Sequence, residues 1–462
     1  MSAKEPKKSL IRVKQPFKAL CHIWYSAPYS LSEEVTLIEG MILSLSTYED
    51  KDESVRYEAN PVNKKTWAPF LISSSHRDDK NFHYSYNFYL SQDDLKQCEE
   101  IVNIPDELTQ AEKYYRSIQG SLFGTAVGDS IGLPFEGMSA RRIKNFKAIP
   151  LRQRFFNHIG MLSDDTEHTC IVAHALIFAN NDPKEFTDNI AWSLRFWLLG
   201  LPAGIGMATL RACLKLWLFI APDKSGVFSA GNGPAMRSAL IGVYSYDDEI
   251  LRNELLKINT EITHTDPKAL KGASIVAELA AKNAQGTPIT IDNCFQVLEP
   301  IIDDDKDLKE IVLKAIESVK QNQSANEFCA EINQVKGVGG YIYHTFPVVL
   351  QIVLRHNNDY EKAISEAIAC GGDTDTVAAI IGGIVGANTG VEGIPTDWIE
   401  NMKDWPRDKH YLQHLVDELC AVKWFKKPGT TKWMDPIRLW IRNIFFMIWV
   451  LMHGFRRLLP PY

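Results

Sequence analysis

The spacing of apolar residues changes rhythm once along this chain. Up to about residue 110 it alternates at period two. Tyr84-Ser85-Tyr86-Asn87-Phe88-Tyr89-Leu90 reads as a strand on that basis. Val35 to Leu45 is also strand-like, with Gly40 as a candidate bulge. Charged turn material such as Tyr48-Glu49-Asp50-Lys51-Asp52-Glu53 separates such runs. The pattern predicts a small N-terminal α+β module over residues 1–110, ending near Pro105-Asp106-Glu107.

From Ala111 onward the apolar positions follow helical spacing. Ala111 to Leu122, Asn189 to Leu199, Met207 to Phe219, Leu251 to Glu261, Lys268 to Asn283, Asp307 to Lys320, Phe346 to His356 and Tyr360 to Ala369 all carry one apolar face. Pro202, Pro222, Gly226, Pro267, Gly286 and Pro288 punctuate the gaps. The fold class is therefore mainly α, with an all-helical domain over residues 111–427. Lys426-Lys427-Pro428-Gly429-Thr430-Thr431-Lys432 reads as a linker to a terminal apolar helix within 428–462. Its apolar run, Ile444 to Met452, is flanked by Arg438, Arg442, Arg456 and Arg457. A membrane-spanning helix needs about 20 apolar residues, so this run predicts a docked terminal helix. An interfacial or partner-binding helix is the alternative.

At 462 residues, 45% hydrophobic, the chain has ample material for a core and for more than one domain. A formal net charge of -7 gives no bulk field for nucleic acid, and no nucleic-acid partner is expected. The eight cysteines are scattered without a CxxC pair, as in reduced thiols of a cytoplasmic protein. The basic start (Lys4, Lys7, Lys8) lacks an apolar segment, so no signal peptide is expected, and membrane partners are not expected either.

Two short stretches concentrate oxygen donors. Gly371-Gly372-Asp373-Thr374-Asp375-Thr376 precedes the apolar run Val377 to Ile381. Ser163-Asp164-Asp165-Thr166 precedes Ile171, Val172, Ala175 and Leu176. Each places carboxylates at the start of a buried helix, where the dipole favours the ionised form. A single Asp there reads as a cap. Paired carboxylates in two such clusters need a further partner for their charge. Oxygen-only donors suit two Mg²⁺ or Mn²⁺ ions roughly 3.5–4 Å apart. Two further stretches are candidates for binding. Ser229-Ala230-Gly231-Asn232-Gly233-Pro234-Ala235-Met236-Arg237 is a glycine loop opening a helix, a geometry that cradles phosphate and equally makes a plain turn. Thr263-His264-Thr265-Asp266-Pro267 sets a lone histidine before a helix, where a cap or a satisfied core residue is the commoner reading. Gly124 to Gly137 reads as a further glycine-rich loop.

Taken in order, these segments resemble the ADP-ribosylglycohydrolase family, the enzymes related to dinitrogenase-reductase-activating glycohydrolase. The matching runs are GSLFGTAVGDSIGLPFEG, LSDDTEHT, AGNGPAMRSALIG, THTDPKALKGA and ACGGDTDTVAAIIGGIVGANTG. They span roughly 115 to 410 and leave both ends of the chain uncovered. The resemblance implies a compact all-helical domain with a dinuclear Mg²⁺ or Mn²⁺ centre. It implies Ser163, Asp164, Asp165, Asp373, Asp375 and Thr376 as metal ligands, and Glu136 as the acidic residue on a loop reaching over the site. It implies that Asn232 and Gly233 hold ADP-ribose phosphates, that His264 contacts the distal ribose or adenine side, and that Asp129 supports the site.

The activity this resemblance implies is hydrolysis of ADP-ribosyl groups from protein side chains, arginine first. Asp165 or Glu136 would relay protons as the C1″ bond breaks. Two other classes remain open: a scaffold in which the Asp residues only cap helices, and a stoichiometric immunity protein that blocks an interbacterial ADP-ribosyltransferase toxin. For the second, residues 1–105 would supply the partner surface through Trp24, Tyr25, Tyr29, Tyr84, Tyr86 and Tyr89, although alternating aromatics also suit a small core.

Overall fold

A computed structural model gives the fold, and describes residues 7–14, 17–24, 30–37, 42–49, 55–61, 85–101, 110–146, 150–155, 158–425, 429, 431 and 436–457. Gly40, Tyr25, Tyr29, Tyr84 and the boundary at 105–107 lie outside these residues, as do the side chains of Trp24, Tyr86 and Tyr89.

The chain divides into two units, Met1–Tyr115 with Cys420–Gly429, and Arg116–Leu419 with Thr430–Tyr462. The first is built on a seven-stranded antiparallel sheet: β1 Lys7–Val13, β2 Phe17–Trp24, β3 Ser30–Leu37, β4 Ile42–Glu49, β5 Val55–Pro61, β6 Ser85–Leu90 and β7 Cys98–Ile101. The order across the sheet is β3-β2-β6-β5-β4-β1-β7. The alternation read in the sequence holds in β6, where Phe88 and Leu90, two residues apart, are both buried. Cys21 pairs with Phe88 across β2 and β6.

The second unit is helical. Its middle is the Thr374 helix (Thr374–Thr389), buried along Thr374 to Ala387. Against it runs the long helix Gln110–Gly132. Gly120, Gly124, Gly128 and Gly132 recur every four residues and so fall on one face. A methyl group on Gly124 would stand 2.1 Å from the Gly382 carbonyl oxygen, and one on Gly120 would stand 2.0 Å from that of Gly386. The two backbones touch, and nothing larger than glycine fits at the crossing. This corrects the reading of Gly124 onward as a loop. Glycine weakens a helix in isolation, but here close packing against the Thr374 helix compensates, and the helix continues to Gly132.

The terminal helix Pro436–Arg457 belongs to this same unit. It docks through Phe446, which joins Leu133, Phe155, Met161 and Ala203 in one apolar cluster. The Phe446 and Phe155 rings stack at 5.2 Å. Met447, Trp449 and Val450 pack against the same cluster, Arg442 and Asn443 are buried beside them, and much of the apolar run is left exposed. Docking was expected; the burial of Arg442 and Asn443 within the docked face was not. Among the described residues no helix is long and apolar enough to cross a membrane.

Candidate active site

Ser163 caps the Asp164 helix (Asp164–Ala179), accepting from the Asp165 N–H at 3.3 Å. Its own hydroxyl donates to Asp165 Oδ2 at 3.0 Å. Asp129 holds this turn from below. It is fully buried, and its carboxylate accepts from the Ser163 N–H at 2.9 Å, from the Thr166 N–H at 3.2 Å and from the Thr166 hydroxyl. Asp129 thus has its oxygens committed to protein donors. Its place is beneath the site, and the arrangement assigns it to positioning the Asp164 helix. Burial pushes its carboxyl up to about 6, against the lowering effect of those hydrogen bonds.

The second cluster enters through a strained corner. Gly371 and Gly372 have φ of 69° and 86°, a region that side chains disfavour. They form β9, which pairs with β8 (Met138–Ser139). The Gly137 N–H donates to the Gly372 carbonyl at 2.7 Å, so the turn bearing Glu136 is stapled to the entry of the Thr374 helix. The Thr374 hydroxyl closes the corner by donating to the Gly132 carbonyl at 3.0 Å. Asp373 is the N-cap of that helix, yet its side chain makes no capping bond. Its Oδ2 instead accepts from Asn232 Nδ2 at 2.8 Å.

The two clusters meet. The Thr376 hydroxyl donates to Asp165 Oδ2 at 3.2 Å across 211 residues of sequence. Asp165 and Asp375 are buried, and Oδ1 of each finds no hydrogen-bond partner. Burial, then the charges of Asp164, Asp129 and Asp373, holds Asp165 well above the usual carboxylate range. Asp375 is raised likewise by burial, then by Glu136, Asp373 and Asp165. Asp164 is raised by burial, then by Glu167, Asp129 and, more weakly, Glu136. The exposed Glu136 therefore acts electrostatically on both clusters. Burying several like charges beside unmatched oxygens is costly, and a hard cation would offset that cost. Among the described residues no three His, Cys, Asp or Glu side chains form a closed metal cluster. The donors combine hydroxyls with carboxylates on two helix starts, and two orphaned oxygens fit a divalent ion.

Next to this lies the glycine loop. The Asn232 N–H donates to the Gly340 carbonyl at 2.9 Å, and Asn232 Nδ2 also donates to Thr345 Oγ1 at 3.0 Å. His264 forms its floor. A methyl group on Gly231 or Gly233 would come within 3.1 or 3.2 Å of the imidazole. Burial, then Arg237, pushes His264 down to about 3, so the ring is neutral. Asn232, Gly233 and His264 are thus brought together, with Asn232 touching Asp373.

Sequence reasoning missed the frame behind these residues. Arg237 donates to Asn259 Oδ1 at 2.7 Å and to Thr263 Oγ1 at 2.9 Å, and pairs with His168 Nδ1 at 2.6 Å. Thr263 Oγ1 lies 2.9 Å from His264 Nδ1, so one buried chain links the Asp164 helix to the loop floor. On the other side Glu167 accepts from Arg407 at 2.6 Å and from Arg442 at 3.0 Å, and Arg442 also pairs with Asp404. Arg237 stood in the glycine-loop motif and Glu167 in the SDDTEHT run, so both were available as buried-charge candidates. Their partners were not.

Residues 110–428 match the family model described as ADP-ribosylglycohydrolase. Relatives include an uncharacterized protein of Archaeoglobus fulgidus, 28% identical over 65% of this chain and 95% of its own length. The ADP-ribosyl-[dinitrogen reductase] glycohydrolase of Rhodospirillum rubrum is 23% identical over 66% of this chain and 95% of its own. The ADP-ribosylarginine hydrolase Tri1 of Pseudomonas putida is 24% identical over 65% and 77% respectively. A solved structure, titled ADP-ribosylglycohydrolase-related protein complex, aligns with TM-score 0.50 and 23% identity over 68% of this chain and all of its own, a likeness of fold.

Proposed function

The chain belongs to the ADP-ribosylglycohydrolase family, and from that premise we propose that it releases ADP-ribose from modified protein side chains, arginine foremost, with two Mg²⁺ or Mn²⁺ ions. The observation that carries the reading is the Thr376–Asp165 hydrogen bond, which draws together two acidic clusters whose Asp165 and Asp375 oxygens are buried and unmatched. The arginine preference rests on the relative whose name specifies ADP-ribosylarginine.

Ser163, Asp164, Asp165, Asp373, Asp375 and Thr376 would hold the ions. Bound there, they would supply an activated water and an anchor for ribose hydroxyls. The chain's own residues do the rest. Asn232 and Gly233 hold the phosphates over the neutral His264 ring. Asp129 keeps the Asp164 helix in register without touching substrate. Glu136, exposed on its stapled turn, would exchange a proton with the departing side chain, and Asp165 is the second proton-handling candidate. Such an activity would also reverse the work of an ADP-ribosylating toxin, and immunity is one use it would serve.

The test is release of free ADP-ribose from proteins modified on arginine or on serine, with and without chelator. Asp164→Ala and Asp373→Ala should abolish release. Full activity of both variants in EDTA would sink the metal reading, and a preference for serine would correct the acceptor.

A further inference from the structure

From Gly137 to Leu162 the chain carries six Arg and Lys residues and no Asp or Glu, in a protein whose net charge is -7. This stretch runs between two members of the candidate site, Glu136 and Ser163. The fold holds its first half against them. A methyl group on Gly371 would stand 2.7 Å from the Ala140 backbone nitrogen, so the short helix Ala140–Asn145 starts at the corner that leads to Asp373. Arg141 and Lys144, three residues apart, share one face of that helix and are exposed, while Ile143 is buried. Phe146 follows, half exposed. Its ring packs edge-on against Phe135, the neighbour of Glu136, with centroids 6.3 Å apart.

The second half returns to the same place. The Arg154 guanidinium lies over the Phe146 ring at 5.7 Å. Arg152 is close enough to add to burial in holding Arg154 below the ordinary arginine range. Leu151, Gln153 and Phe155 are buried, and Arg152 between them is exposed. Gln153 fixes this segment, accepting from the Ser130 hydroxyl at 2.8 Å and donating to the Trp398 carbonyl at 3.0 Å. Among the described residues no acidic side chain forms an ion pair with Arg141, Lys144 or Arg152. These three cations make a basic ledge beside the Glu136 turn. On the catalytic reading above, ADP-ribose phosphates lie at Asn232 and Gly233 and Glu136 faces the departing side chain, so the ledge meets the acceptor. A single-stranded nucleic acid would ask for open aromatic platforms between the charges, but Arg154 covers a face of Phe146. Carboxylates need only the cations. We propose that the ledge recognises Asp and Glu residues flanking the modified arginine, so that acceptors in acidic surroundings are preferred. The proposal rests on the catalytic reading for where the acceptor lies.

The test uses the full chain and two peptides ADP-ribosylated on one arginine, flanked by Asp and Glu in one and by Asn and Gln in the other. ADP-ribosylarginine serves as a substrate without flanks. The acidic peptide should show the higher kcat/KM, through a lower KM, and lose that advantage in about 1 M salt, where screening acts within about 3 Å. An exposed ion pair is typically worth about twofold, so Arg141→Gln/Lys144→Gln/Arg152→Gln should lose about eightfold on the acidic peptide. Release from ADP-ribosylarginine should be unchanged in that variant. Arg141→Glu/Lys144→Glu should turn the preference towards a Lys-flanked peptide, which a merely structural role would not do. Unchanged thermal unfolding of both variants excludes misfolding as the cause. Fluorescence anisotropy of the peptides in EDTA reads binding apart from turnover. Tighter binding of the acidic peptide without any release of ADP-ribose would support the ledge and sink the catalytic reading alone. The proposal is overturned if the wild-type protein treats both peptides alike in binding and release, or if the triple variant keeps the preference. It also fails if a labelled oligodeoxythymidylate binds more tightly than the acidic peptide and the triple variant releases it.

Discussion

The Thr376 hydroxyl donates to Asp165 Oδ2 at 3.2 Å. This bond joins the starts of two helices that enter the site from opposite ends of the catalytic domain's sequence. The carboxylates of each helix start raise those of the other, and Asp165 also receives the Ser163 hydroxyl on the same oxygen. Oδ1 of Asp165 is left without a hydrogen-bond partner.

Thr376→Val tests that link, since it removes the hydroxyl and keeps the shape. Substitutions that disturb the orientation of metal ligands typically cost about 10–100-fold in affinity or activity. That loss is expected here, seen as a higher Mg²⁺ requirement for ADP-ribose release. Thr376→Ser should restore most of it. An unchanged Mg²⁺ titration in Thr376→Val would place the hydroxyl outside the working site.

The glycine crossing makes a separate prediction about stability. In Gly124→Val the new Cβ would stand 2.1 Å from a backbone oxygen, which cannot rotate away. The helices must part, and overpacking of this kind costs about 1–3 kcal/mol or more. Because Asp375 lies directly beside the Gly132 contact, activity should fall with stability. Thermal unfolding and ADP-ribose release measured together check both. A variant as stable as wild type would show that the crossing tolerates separation.

The donor runs were legible in the sequence because their chemistry is local. Ser163 to Asp165, and Asp373 to Thr376, each lie within a few residues of a helix start, and helix starts are announced by short patterns. The strand of β6 was legible for a similar reason. The long glycine helix was not, because glycine argues locally for a loop and only the facing backbone of Gly382 and Gly386 reverses that. The terminal helix was half legible. Its apolar run predicted a docked element, but the partners that turn Arg442 inward lie 275 residues away at Glu167 and 38 away at Asp404.

That buried charge group carries the third prediction. Arg442→Met leaves Glu167 with Arg407 and leaves Asp404 without its ion pair. Removing one member of a buried pair costs about 3–5 kcal/mol, mostly as the penalty of the stranded charge. Chemical denaturation should show a loss of that order. The combined replacement Arg442→Met/Asp404→Leu should recover part of it, because no stranded carboxylate remains there. Equal losses in the single and double variants would mean that packing, and not charge, holds the terminal helix.

His264 gives a prediction about acid. Its imidazole is 3% exposed, and burial, then Arg237, pushes it down to about 3 from an ordinary 6.5. In the unfolded chain the ring takes a proton as pH falls below 6.5, while in the folded chain it stays neutral until about 3. The unfolded state therefore binds more protons throughout that window. Stability from this group is complete above pH 6.5 and is lost as pH falls, at about 1.4 kcal/mol per pH unit. His168, also held well below its ordinary value by burial and then Arg237, adds a slope of the same sign. Asp129, raised to about 6, works in the opposite direction between 3.8 and 6, so the wild-type curve alone does not isolate the histidine. The difference between wild type and His264→Asn does, because Asp129 is common to both. Urea denaturation at several pH values from 7 down to 5 should give His264→Asn a shallower dependence by about one proton. Parallel curves would mean that the folded protein protonates His264 as readily as the unfolded chain does, and that the ring beneath the glycine loop is not neutral.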